Sequence, residues 1–162
     1  MRIKDILYNI KYFFQKIFRK NHISDIEMWN CYVYLAKFIL PRLKAFRTQK
    51  IHGYPNDINS ISNSRTVAAE DDEQFKKELD NWLKIIDEMI FAFEYALYGD
   101  SLDKNGAHFY LKYFGEDPYK DILINDAYYK RNENEWKIIK EAHNRALKGF
   151  EYFGKYFLHL WD

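Results

Sequence analysis

The groups in this sequence best placed to do chemistry fall in two stretches. Glu94 sits inside Ile90-Phe-Ala-Phe-Glu-Tyr-Ala-Leu97, an apolar run in which an ionised carboxylate is costly unless it is paired. Arg42 and Arg47, on either side of Phe46's turn of chain, are its expected partners. Two roles are open to that pairing. It is either a structural ion pair joining two helices, or a device in which Glu94 orients an arginine whose planar fork holds a phosphate or carboxylate ligand. The second stretch, His52-Gly-Tyr-Pro55, combines an imidazole, a flexible backbone point, a phenol and a fixed turn. It reads equally as a ligand-closing loop and as a tight surface turn whose Tyr54 packs down onto the helices.

Familiar catalytic signatures are absent from the sequence. No glycine-rich loop ends in Lys-Ser or Lys-Thr, no dinucleotide-binding glycine triplet occurs, and no Gly-x-Ser-x-Gly elbow is found. No histidine has a glutamate three positions before it and no two histidines lie four apart, so no metal and no other cofactor is expected. Cys31 stands alone, which excludes an internal disulfide. Its neighbours Trp29, Tyr32 and Val33 make it an expected small core residue. His143 and His159 are read as ordinary surface or satisfied polar positions. The expectation is a binding protein, not an enzyme.

The elements that must position these residues are helical almost throughout. Apolar residues at Ile3, Ile6, Leu7, Ile10, Phe13, Phe14 and Ile17 keep the spacing of one helix face, so residues 1–20 read as a basic amphipathic helix. Ser24 and Glu27 form a capping-box signature before Trp29, Tyr32, Val33, Ala36, Ile39 and Leu40. Pro41 lacks an amide hydrogen, so that helix is expected to kink at Leu40 or to restart at Pro41, with a bend at Pro41-Arg42. Residues 48–69 are rich in Asn, Ser, Gly and Pro, without sustained periodicity, and read as a long polar loop. Acidic residues Glu70 to Glu73 then precede Phe75, Leu79, Trp82, Leu83, Ile86, Met89, Ile90, Phe93 and Leu97, the longest expected helix. A less regular segment is expected over residues 99–131. A final helix runs from about Asn134 to Leu160, with apolar residues on more than one face, which implies a self-association surface or a pocket wall beyond core packing. The expected fold is all-α: a single-domain helical bundle over residues 1–162.

Composition narrows the function classes. At 162 residues, 48% hydrophobic and 30% charged, the chain is long enough for one core and too apolar for disorder. No apolar stretch approaches the ~20 residues of a transmembrane helix, and no cleavage site follows the basic start, so a soluble, cytoplasmic protein is expected. A net charge of +1 argues against wrapping duplex nucleic acid. The aromatic fraction of 19% serves a packed core and base-stacking surfaces alike.

Four segments carry a resemblance: residues 29–46 with Leu35-Ala-Lys-Phe-Ile-Leu-Pro-Arg-Leu-Lys-Ala-Phe46, then His52-Gly-Tyr-Pro55, then Trp82-Leu-Lys-Ile-Ile-Asp-Glu-Met-Ile-Phe-Ala-Phe-Glu94, and residues 149–162. Together, over less than half the chain, the pattern resembles a family of small bacteriophage proteins. Such proteins include ones that neutralise host immunity, among them viral sponges that bind cyclic nucleotide signals without cleaving them. The resemblance implies a protein of the infected bacterial cell that sequesters a cyclic or other small anionic nucleotide, and the excess aromatic surface of the last helix adds the expectation of a homo-oligomer. Arg42, Arg47, His52, Tyr54, Trp29 and Glu94 are the expected ligand-binding residues. The amino-terminal helix and the long loop after Pro55 depart from the family pattern. An interaction module that docks a host or phage protein through its aromatic surface is the alternative; a nucleotide-degrading enzyme, a third reading, has no metal motif behind it.

Overall fold

The computed structural model describes residues 10, 25–49, 54–55, 73–120 and 133–160. Among them there is no strand. The chain is all-α, with α1 (Asp25–Trp29), α2 (Cys31–Thr48), α3 (Glu73–Tyr98), α4 (Lys104–Phe114), α5 (Glu133–Tyr156) and a terminal 3-10 turn, Phe157–His159. The basic helix expected over residues 1–20, Ile10 apart, and most of the loop over 48–69 lie outside the described residues. Two compact units are formed, Met1–Leu35 and Ala36–Asp162.

In the first unit, α1 ends at a turn on Asn30, whose carbonyl accepts from the amides of Val33 (2.9 Å) and Tyr34 (3.3 Å) and so opens α2. Met28, Trp29, Tyr32 and Leu35 are all exposed. Cys31, expected in the core, is exposed as well. The physical reason is its register: it lies one turn before Leu35, on a stretch of helix that turns its apolar side chains outward.

The second unit is organised on α3. Trp82, Ile86, Met89, Ile90 and Phe93 recur at helical spacing and bury against Ala36, Leu40 and Leu43 of α2 and Tyr156 of α5. Phe91 and Ala92 lie a step further round and face a second cluster with Phe109 and Tyr110 of α4, Tyr119, and Ala142 and Ala146 of α5. A segment apolar on nearly every side is covered on nearly every side. Edge-to-face rings lock the contacts: Phe93 with Phe153 at 4.9 Å, Trp82 with Tyr156 at 5.3 Å and Phe91 with Tyr113 at 4.7 Å between centroids. Along α5 the small residues Ala142, Ala146 and Gly149 let α3 approach closely. A Cβ at Gly149 would stand 2.3 Å from the Glu88 carbonyl oxygen, so only glycine fits.

Two expectations are corrected. Of the two outcomes expected at Pro41, the restart is not found: the second helix is continuous from Cys31 to Thr48. Pro41 has no amide hydrogen to give the helix ladder, yet Leu40 and Leu43 on either side are buried in the core, and their packing holds the helix through the proline. The segment after Gly99, expected to be irregular, contains α4. Asp103 caps it, accepting from the amides of Asn105 (2.8 Å) and Gly106 (3.3 Å), and Gly115 closes it at φ 72° with its amide on Leu111. The last helix runs as expected from Glu133, and α3, at 26 residues, is the longest.

Candidate functional site

Three acidic side chains of α3, Asp87, Glu88 and Glu94, meet cations from three other helices. Glu94 is 5% exposed. Its Oε1 accepts from Lys44 Nζ of α2 at 2.6 Å, and its Oε2 accepts from Lys112 Nζ and Tyr113 Oη of α4, each at 2.8 Å. The expected pairing between two helices is present, but the partners are these lysines and not Arg42 or Arg47. The register of α2 explains the change. Leu40 and Leu43 point into the core, and Lys44 and Arg47 lie one turn beyond them on the same side, whereas Arg42 is displaced by about 200° from Leu40. Arg42 lies over the Phe38 ring at 3.6 Å and donates Nη1 to the Phe38 carbonyl at 2.6 Å. Arg47 donates Nε and Nη2 to Asp87 at 2.8 and 3.1 Å.

Arg145 of α5 completes the row. Its fork donates to both oxygens of Glu88, at 2.8 and 2.6 Å, while its face lies 4.1 Å over the Phe91 ring. Hydrogen bonds donated to Glu88 and Asp87 hold the Arg145 and Arg47 guanidinium groups still more firmly protonated than usual, against the opposing effect of burial. At Glu94 burial pushes the carboxyl up, but hydrogen bonds from Lys112, Lys44 and Tyr113 outweigh it and the pKa lies below its ordinary value. Lys112 is desolvated, which works against its charge, yet Glu94 raises it overall.

The remaining expected site residues are not brought to this row. Tyr54 is half-buried, its ring tilted against that of Phe75 at 5.6 Å between centroids and packed against the first core cluster, and Pro55 beside it is buried. Tyr54 therefore packs onto the helices and is not an exposed probe of a ligand. His52 lies outside the described residues. Trp29 belongs to the first unit, where it is 85% exposed. His143 is exposed, with Nδ1 3.3 Å from Tyr95 Oη, and His159 is exposed beside Tyr156. Among the described residues no group of three or more histidine, cysteine or acidic side chains is placed to hold a metal ion, and no helix is long and apolar enough to cross a membrane. Sequence reasoning missed Lys44, Lys112, Tyr113, Asp87, Glu88 and Arg145. The one-turn spacing of Lys44 from Leu40 was a usable signal; the Glu88 to Arg145 pairing, 57 positions apart, left none.

The exposed apolar side chains form the other candidate surface. Met28, Trp29, Tyr32 and Leu35 present four large groups to solvent within eight residues, while α3 buries most of its own. No protein-family model, curated protein or solved structure matches the chain.

Proposed function

We propose that this protein is a non-catalytic binding module that docks a protein partner through the apolar face of α1 and the first turn of α2. The exposure of Met28, Trp29, Tyr32 and Leu35 carries this reading. Apolar groups of this size, clustered on one short helical stretch, are what a helix presents to a partner groove, and tryptophan and tyrosine are the side chains most often found at the energetic centre of such interfaces. The ionisable groups support it from the other side. Asp87, Glu88 and Glu94 each hold a cation of the same fold, and Tyr95 is pushed by burial, and then by Asp100 and Tyr119, up to about 12, so it stays a neutral phenol. With the phage resemblance, the partner is a host or phage protein of the infected cell and the role is immune evasion. Self-association belongs to the same reading: Phe157 and Leu158, just beyond α5, are exposed, Leu158 to 77%.

Affinity purification from infected cells tests it. Wild-type protein should retain one partner, and Trp29→Ala or Leu35→Glu should lose it while the urea midpoint of the isolated protein stays unchanged. Equal retention by both variants would sink the proposal. Nucleotide sequestration uses other groups and is separated by a thermal-shift series with cyclic di- and trinucleotides, in which a ligand at ~100 times its Kd stabilises by about 2.7 kcal/mol.

A further inference from the structure

Glu94 is held by two ammonium groups where one would neutralise it. Lys44 takes Oε1 and Lys112 takes Oε2, and Tyr113 adds a neutral donor to Oε2. Both flanking arginines are spent on carboxylates of their own, Arg47 on Asp87 and Arg145 on Glu88. Asp80 and Glu141 add to the negative charge around Arg47 and Arg145, so positive charge is in excess locally at Glu94, where two ammonium groups face one carboxylate.

We propose that Lys44 and Lys112, anchored on the two oxygens of Glu94, form a clamp for a phosphoryl oxyanion. An ammonium has three N–H donors, and each lysine gives one to Glu94. Lys112 also engages the Tyr113 hydroxyl, but the Lys44 and Lys112 side chains remain 50% and 45% exposed, and each ammonium keeps at least one further donor for a ligand from solvent. Glu94 is the positioning residue. Two lysine heads would repel one another at this separation, and each would lose considerable side-chain freedom on closing round an anion. The buried carboxylate has already met both costs, and the Tyr113 ring, 4.4 Å from Lys112 Nζ, holds that stem in place. A phosphoryl group offers a charge near two and several acceptor oxygens, which suits two ammonium groups that are already close together. A monocarboxylate offers half that charge. The site is independent of the docking face on α1 and α2, and either could fail without the other.

Pyrophosphate is the probe, titrated into the full chain by calorimetry and by thermal shift against sodium chloride of equal ionic strength. Pyrophosphate should raise the unfolding midpoint where chloride does not. Lys44→Ala and Lys112→Ala should each weaken its binding about tenfold or more. Lys148→Ala, a lysine over Tyr152 elsewhere on α5, should leave it unchanged. Lys112→Met retains the apolar stem and supplies the measurement if Lys112→Ala does not fold, and Lys112→Arg should restore binding. Inorganic phosphate, a 5′-mononucleotide and a cyclic dinucleotide, run in parallel, distinguish a free phosphate from a nucleotide as the source of the group. A response to pyrophosphate no larger than that to chloride, or binding kept by the Lys44→Ala, Lys112→Ala double variant, overturns the clamp.

Discussion

Glu94 is linked to folding through three donors on two other helices, so its replacement reports on the charge row directly. Glu94→Ala leaves Lys44 and Lys112 without their carboxylate, but both heads are half exposed and can hydrate. The expected cost is therefore about 1–3 kcal/mol in urea unfolding, below that of a fully buried pair broken on one side. A change under ~0.5 kcal/mol would show that the carboxylate is not engaged in solution. Acid should act through the same group. Because the Glu94 carboxyl lies lower in the folded chain than its ordinary value of 4.5, its contribution is complete above pH 4.5 and is lost as pH falls through the folded pKa. Glu94→Gln should flatten the acid limb of a stability profile below pH 4.5. Lys112, raised above 10.5, has the opposite sign: its contribution is present below pH 10.5 and fades as pH rises through the folded value.

Three changes probe the helices themselves. Asp103→Ala removes the acceptor for two amides at the start of α4 and should cost about 1 kcal/mol, read as a lower melting temperature. Gly149→Ala forces a methyl group to within 2.3 Å of the Glu88 carbonyl at the α3 to α5 crossing. The helices must separate, and a loss of about 1–3 kcal/mol is expected despite alanine's better helix propensity. Pro41→Ala should do the reverse. Pro41 is exposed within a continuous helix, so an alanine there, with an amide hydrogen and no ring, should raise stability by about 1 kcal/mol or more. An unchanged midpoint would mean that the proline fits its turn without strain.

For the molecule as a whole, the question is what covers its exposed apolar groups. Light scattering at micromolar concentration should find a dimer or larger species if Phe157 and Leu158 pair between copies, and Phe157→Glu should return it to monomer. A monomer at every concentration would leave the α1 and α2 face as the molecule's docking surface and remove self-association from the proposal. Hydrogen exchange on a purified complex would then show protection at amides 31–35 and none beyond Phe157.

The helical periodicity of α3 and α5, with 26 and 24 residues, was legible because apolar residues recur at 3.6-residue spacing whatever they pack against. Glu94's need for a partner was legible for the same local reason, an ionisable group within an apolar run. α4 was harder to see. Its internal Gly106 and short length mask a helix whose signals are a capping Asp103 and a closing Gly115, both of which also mark loops. The identity of Glu94's partners was settled only by tertiary packing. Proximity in sequence and charge type made Arg42 and Arg47 equal candidates with Lys44, and the angular register of α2, set by Leu40 and Leu43 entering the core, turned Lys44 to Glu94 and Arg42 away. Lys112 and Arg145 reach α3 from helices 18 and 57 positions away, and no local pattern encodes such a meeting. Tyr54 followed the same logic. The sequence permits an exposed or a packed Tyr54, and Phe75 on α3 together with the first core cluster packs it.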